Sequence, residues 1–166
     1  DAHAKASSHS EDLPAAFWED YGIISLKLGE QINDIRLYLK AINCHKNAIR
    51  KSISNFKSWY LLAYSLSQLY TLTHDEDHFC QANECFTSAA KLQPQNETIW
   101  YSWAKLLLNS GIRISDAKRL HSCIEKCHRA HACKQDQELV METWAIALAS
   151  LGIISDRLDL IFEANN

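Results

Sequence analysis

Apolar residues recur along this chain at intervals that fit one face of an α-helix. Three segments place a tryptophan ahead of apolar or small residues at the third, fourth and seventh positions that follow: Trp59, Leu62, Ala63 and Leu66; Trp100, Trp103, Ala104 and Leu107; Trp144, Ala147, Leu148 and Leu151. These positions lie on one stripe of a helix. The spacing predicts an amphipathic helix in each segment. A weaker copy predicts a fourth: Trp18, Tyr21, Gly22 and Ser25.

The tryptophans also define an internal repeat. Trp18, Trp59 and Trp100 are 41 residues apart, and Trp144 follows Trp103 by the same interval. A second apolar pattern occurs in three copies and predicts a second helix in each repeat: Ala41, His45 and Ala48; Ala82, Phe86 and Ala89; Ala117, His121 and Ile124. We expect helix pairs at about 15–55, 56–96, 97–140 and 141–166, in a single domain over 14–166 that follows a flexible segment, 1–13. The tryptophan rings are expected in the core.

Polar residues and glycines mark the expected helix ends. Three residues are predicted N-caps of second helices and two are predicted N-caps of first helices: Asn33, Asp77 and Ser115; Asn96 and Asp136. Capping also accounts for the sequon that begins at Asn96. Gly111 and Gly152 are predicted to end first helices. The tryptophan precedes the alanine of the second pattern by 23 residues in the first two repeats and by 17 in the third. This difference predicts about six additional residues in the first two repeats.

These residues resemble the tetratricopeptide repeat (TPR), whose pattern is Trp, Leu-Gly and Tyr, followed by Ala, Phe, Ala and a closing Pro. The second repeat carries most of this pattern: Trp59, Leu62, Ala63, Leu66, Ala82, Phe86, Ala89 and Pro94. Half-a-tetratricopeptide repeats share much of the spacing. The resemblance implies an all-α fold, a right-handed α-solenoid of about four antiparallel helix pairs.

Composition narrows the classes of function. The formal net charge is −3, with basic and acidic residues scattered along the chain, so no basic surface for nucleic acid is expected. No stretch approaches the roughly 18 to 20 apolar residues that span a bilayer, so no membrane insertion is expected. The six cysteines lie in helical patterns and are expected to be reduced thiols, which favours a soluble cytoplasmic protein.

The resemblance implies that first helices line a concave surface, so the stripe beside the core stripe is predicted to bind a partner. In the second and third repeats this stripe contains tyrosines among amide and ammonium groups: Lys57, Tyr60, Tyr64 and Gln68; Thr98, Tyr101, Lys105 and Asn109. Such side chains suit a peptide or helix of a protein partner. The predicted function is therefore a protein–protein interaction scaffold with this groove as its ligand-binding site.

Two alternatives concern how a partner is held. The family includes a clamp for the terminal carboxylate of chaperone tails, built from Lys and Asn, but Glu19 and Tyr60 stand at those places. Chaperone-tail binding is therefore not predicted. The chain could instead be a structural subunit, or part of a longer repeat array, that associates through its outer or terminal surface.

Metal and catalytic chemistry are the remaining hypotheses. Cys123, Cys127 and His131 follow one another at i, i+4 and could reach one Zn²⁺, although cysteine is also a common small core residue. The opening Asp1-Ala2-His3 matches an amino-terminal copper or nickel chelate. No nucleophile elbow, P-loop, dinucleotide fingerprint or H-E-x-x-H motif occurs. We expect neither an enzyme nor a cofactor.

Overall fold

A computed structural model of the chain describes residues 13–134 and 137–164, with side chains as far as Asp156. These residues form seven α-helices and no strand: α1 Ala15–Ile32, α2 Ile35–Lys51, α3 Phe56–Thr73, α4 Glu76–Leu92, α5 Glu97–Arg113, α6 Ala117–Cys133 and α7 Glu138–Ala164. The prediction of an all-helical fold is confirmed. The Asp1-Ala2-His3 motif, residues 1–12 of the predicted flexible segment and the predicted cap Asp136 lie outside the described residues.

The described residues divide into two compact units, one that ends at Leu92 and one that begins at Gln93. In the first unit α1 packs on α2, α2 on α3 and α3 on α4, while in the second α5 packs on α6 and α6 on α7. The helices of each pair are joined by two or three residues, a connection that places them antiparallel. Among the described residues, the predicted fourth pair is represented by one long helix, α7.

The period of 41 residues holds through three helix pairs. First helices begin at 15, 56 and 97, and second helices begin at 35, 76 and 117. Each second helix is preceded by a residue with positive φ and then by an aspartate that caps it: Asn33 and Asp34, His74 and Asp75, Ser115 and Asp116. The predicted caps Asn33 and Ser115 are therefore wrong by one residue, because each is the left-handed residue that precedes the capping aspartate. The predicted cap Asp77 is wrong by two residues, since it lies inside α4 and donates its amide to the true cap, Asp75. The predicted cap Asn96 is confirmed, since its Oδ1 accepts a hydrogen bond from the Thr98 amide at 3.1 Å.

The constant period corrects the third copy of the second-helix pattern. Each position of that pattern is 0 % exposed in all three pairs: Ala41, Ala82 and Cys123; His45, Phe86 and Cys127; Ala48, Ala89 and Ala130. The predicted copy at Ala117 is wrong by six residues, since Ala117 opens α6 and His121 is exposed. No repeat has six additional residues. All three pairs have helices of 17 or 18 residues, and the seven residues beyond a 34-residue unit amount to about two helical turns.

The predicted helix ends at glycine are also wrong. α5 continues past Gly111 to Arg113, and α7 continues past Gly152 to Ala164. A Cβ added at Gly111 would lie 2.9 Å from Leu120 Cδ2. The glycine therefore serves the close approach of α6 to α5 rather than the end of the helix.

Two tryptophans form hydrogen bonds with the segments that precede their helices. Trp59 Nε1 donates to the carbonyl oxygen of Ile53, and Trp100 Nε1 donates to that of Pro94, both at 2.8 Å and both six residues back. Trp103 is 7 % exposed and fits the prediction of core rings, but the other four tryptophans are only half-buried. The 41-residue tryptophan interval thus reflects a repeated hydrogen bond as well as packing.

Residues Glu138–Asp156 of α7 are long and apolar enough to cross a membrane by length and composition, with a mean hydropathy of 1.4. Only 17 % of this stretch is buried. The statement that no stretch approaches the length of a membrane span is therefore wrong for α7. Glu138 and Asp156 stand at the two ends of this stretch, and Glu142 is the one charged residue inside it.

Candidate partner-binding site

In the first unit, the predicted site residues Tyr60 and Tyr64 form a stacked pair on α3. Their ring centroids are 6.2 Å apart, and Tyr64 donates its hydroxyl to Glu30 Oε1 at 3.2 Å. Burial and the neighbouring Glu30 carboxylate raise the pKa of Tyr64 to about 12. The Tyr64 hydroxyl is thus held within the unit, so the pair offers ring surface to a partner. Gln68 lies one turn further along α3 and is half-buried.

Lys57, predicted to contact the partner, is paired with a buried carboxylate. Its Nζ lies 3.3 Å from Oε2 of Glu19, a residue that is only 5 % exposed. Glu19 Oε1 accepts hydrogen bonds from Asn55 Nδ2 at 2.7 Å and from Ser58 Oγ at 2.5 Å. Asn55 in turn caps α3 through the Lys57 amide. This network fastens the start of α3 to α1, a role that the sequence pattern did not indicate for Glu19.

In the second unit, the predicted residues Thr98 and Tyr101 line a pocket of about 310 Å³ between α5 and the start of α7. The lining combines polar and apolar side chains: Glu97, Thr98, Tyr101, Gln137, Glu138 and Leu139. Lys105 Nζ lies 5.8 Å from the Tyr101 ring centroid, and Asn109 is exposed one turn further along α5. The sequence prediction missed Leu139, which is 59 % exposed; an apolar residue in the first turn after a loop was the available signal.

The residues proposed to bind zinc lie elsewhere in the second unit. Cys123 and Cys127 are fully buried, and the hydrogen bond with Cys127 together with burial raises the pKa of the Cys123 thiol. His131 is half-buried in the last turn of α6. No group of three His, Cys, Asp or Glu side chains within the described part of the chain is placed to hold a metal ion. The structure therefore does not assemble Cys123, Cys127 and His131 around one ion. All six cysteines are free in the structure.

Comparisons with known proteins bear on the fold. No protein-family model matches the chain, and no curated protein sequence matches it. Among solved structures, a mutant form of MamA, a TPR-like helical-repeat protein, is similar with a TM-score of 0.53 and 16 % sequence identity. The similarity covers 91 % of this chain and 95 % of that one. The chain therefore has the all-helical fold of a TPR-like repeat protein.

Proposed function

We propose that the chain is a non-catalytic protein-interaction scaffold that binds a peptide of a partner protein in the pocket between α5 and α7. The observation that carries the proposal is the pocket itself, in which Tyr101 and the exposed Leu139 face the same space of about 310 Å³. An aromatic ring beside an aliphatic side chain in a concave site gives a partner side chain apolar area to bury.

The polar lining indicates the kind of peptide. Glu97 and Glu138 bring two carboxylates to the pocket, which favours a peptide with a lysine or arginine next to an aliphatic residue. Thr98 and Gln137 add a hydroxyl and an amide that can pair with an extended peptide backbone. The proposed ligand is thus a short basic and aliphatic segment.

In the first unit, the stacked rings of Tyr60 and Tyr64 form a second surface of the same chemistry. Both rings are half-buried, so part of each face is open to a partner. Stacked tyrosines bury large area at small entropic cost when a partner covers them. We assign this pair to a second contact with the partner.

A scaffold also fits the chemistry of the strongly shifted titrating groups. The pKa values that depart strongly from their ordinary range include those of His45 and Cys85, which are buried in the core, and that of Tyr64, which is raised by burial and by the Glu30 carboxylate. An enclosed core side chain cannot exchange protons with a bound substrate, whereas catalytic acids and bases sit in a cleft. These shifts follow from packing.

The proposal is tested by selecting random peptides on the full chain by phage display and measuring the affinity of the enriched sequences. We expect basic and aliphatic peptides, and we expect Tyr101→Ala or Leu139→Ser to weaken their binding at least tenfold. Truncating a central aromatic contact commonly has such an effect. Tyr60→Ala measures the contribution of the first unit.

Ile114→Ser is the matched control, because Ile114 is 42 % exposed and does not line the pocket. Circular dichroism verifies that each variant keeps its helices. Enriched peptides whose affinity is the same for wild type, Tyr101→Ala and Leu139→Ser would place binding outside this pocket.

A further inference from the structure

One face of α7 repeats a helix-packing surface that α5 uses internally. On α5 this surface consists of residues that are all buried: Ala104, Leu107, Leu108 and Gly111. α6 covers it, since Leu120 would lie within 3 Å of a Cβ added at Gly111. The residues 41 positions later on α7 have the same small and apolar character: Ala145, Leu148, Ala149 and Gly152.

These residues of α7 are open. All four are exposed, Leu148 by 52 %, and a Cβ added at Gly152 would meet no described atom within 4 Å. The neighbouring Met141 is also exposed, by 47 %. This face of α7 therefore resembles one that a second helix covers in α5, but no described helix covers it on α7.

The other face of α7 is already packed. Val140 and Ala147 are at most 1 % exposed, and the Trp144 ring meets the His128 ring of α6 with centroids 3.9 Å apart. α7 is thus fixed to α6 in the way a first helix of a repeat is fixed to its predecessor. The open face is a separate surface of the same helix.

Charge indicates what kind of helix fits this face. Residues 138–156 contain three exposed acids, Glu138, Glu142 and Asp156, and no lysine or arginine. The helix that covers the equivalent face of α5 is basic: residues 115–134 have five Lys and Arg against two Asp and Glu. α6 also places Lys126 Nζ 4.4 Å from the ring centroid of Trp103, the residue equivalent to Trp144.

We propose that the face of α7 formed by Met141, Ala145, Leu148, Ala149 and Gly152 binds a basic amphipathic helix with a stripe of small apolar residues, supplied by a partner protein. Small residues on α7 let such a helix approach closely, as Gly111 does for α6. The acids of α7 attract its basic flanks. Of the residues named for this site, only Glu138 also lines the proposed pocket at Tyr101.

The probe is a fluorescent synthetic peptide of residues 115–134 in which its three cysteines are replaced by alanine. Alanine is the residue at the position of Cys123 in the first two repeats, as Ala41 and Ala82 show. Titration of the full chain, followed by anisotropy, is expected to give saturable micromolar binding that weakens as salt rises. A peptide of the same sequence with every Lys and Arg changed to Glu is expected not to bind.

Two variants locate the site, and both should fold because the changed positions are open. Leu148→Gln removes apolar area, and Gly152→Leu fills the place where the partner helix would approach. Each is expected to weaken peptide binding at least tenfold. Ile114→Ser, which lies in neither the pocket nor this face, is expected to leave it unchanged. Weakening by Tyr101→Ala but not by Leu148→Gln would place the peptide in the proposed pocket and overturn the present proposal.

Other outcomes overturn the proposal. Binding that is insensitive to Leu148→Gln, Gly152→Leu and Tyr101→Ala would mean that the peptide replaces α6 within the second unit. Sedimentation that shows a dimer dissociated by Leu148→Gln would make a second copy the occupant. Flotation of the wild type, but not of Leu148→Gln, with phosphatidylcholine vesicles would make a lipid surface the occupant. Equal binding of the charge-reversed peptide would exclude a basic partner.

Discussion

The stability of the first unit is expected to depend on the protonation of His45. His45 lies on α2 with 0 % exposure, against Gly22 of α1, and neither ring nitrogen has a hydrogen-bond partner among the described residues. Desolvation by burial lowers the pKa of His45 from 6.5 to about 4, although the carboxylate of Glu19 opposes this shift. The folded protein therefore holds the ring neutral at neutral pH.

The sign and size of the effect follow from proton linkage. Above pH 6.5 the ring is neutral in both the folded and the unfolded chain, so it adds no pH dependence. Between pH 6.5 and about 4 the unfolded chain takes up the proton first, so the free energy of unfolding falls as pH falls. A difference of about 2.5 pKa units corresponds to about 3 kcal/mol lost across this window.

The measurement compares wild type with His45→Phe in urea unfolding, followed by circular dichroism from pH 7.5 to pH 4. Phenylalanine is a suitable replacement because Phe86 occupies the equivalent position of the second pair with 0 % exposure. Other titrating groups are common to both proteins. The difference in unfolding free energy between them should therefore change by about 3 kcal/mol in favour of His45→Phe as the pH falls.

If the unfolding free energies of wild type and His45→Phe changed with pH by the same amount, this account of His45 would be refuted. Proton NMR supplies an independent check, since the His45 ring signals should not shift between pH 8 and pH 5. A histidine that titrates near 6.5 at this position would show that the ring reaches water or a partner in the folded state.

Three further changes test the packing and the thiols. Gly22→Ala should lower the free energy of unfolding by about 1–3 kcal/mol, because the added Cβ meets the His45 ring. Thermal melts should show that adding His45→Cys to the same chain restores most of that stability, and destabilisations that simply add would contradict this. Trp100→Phe should cost about 1 kcal/mol through loss of the hydrogen bond to Pro94, and an unchanged melting temperature would contradict that role. A thiol reagent at pH 8 should react with wild type in a rapid phase that comes from the exposed Cys80 and is lost in Cys80→Ser. Fast modification of the buried thiols would contradict their placement in the core. The thiols expected to react only on unfolding are Cys44, Cys85, Cys123 and Cys127.

Sequence spacing predicted the helices well because a residue's position on a helix follows from the chain itself. The first helices begin at Ala15, Phe56 and Glu97, in step with the tryptophan interval. The turn residues that fix the register were also present in the sequence, since aspartates recur at Asp34, Asp75 and Asp116. The third copy of the second-helix pattern was predicted at the wrong place because Ala117 and His121 have the residue types of the earlier copies. The buried residue at the equivalent position is a cysteine, Cys123.

The candidate site was only partly predictable. Tyr101 was identified from its stripe, but the pocket also depends on Leu139 and Glu138, which follow 38 and 37 residues later and reach it through the packing of the second unit. Lys57 was identified as a ligand contact, whereas Glu19 already pairs with its ammonium group. Such pairings depend on a neighbouring helix, which a pattern along one helix cannot specify.

The sequence by itself determined that this chain forms paired helices with a period of 41 residues, because helical periodicity and capping are local properties. The tertiary structure decided which polar groups are buried and which apolar groups are open. His45 and Leu148 illustrate this: the histidine is 0 % exposed and the leucine is 52 % exposed. The burial of a side chain depends on its contacts with neighbouring helices, and the pattern along one helix does not specify those contacts. The buried histidine on α2 and the exposed leucine on α7 therefore follow from the packing of the helices.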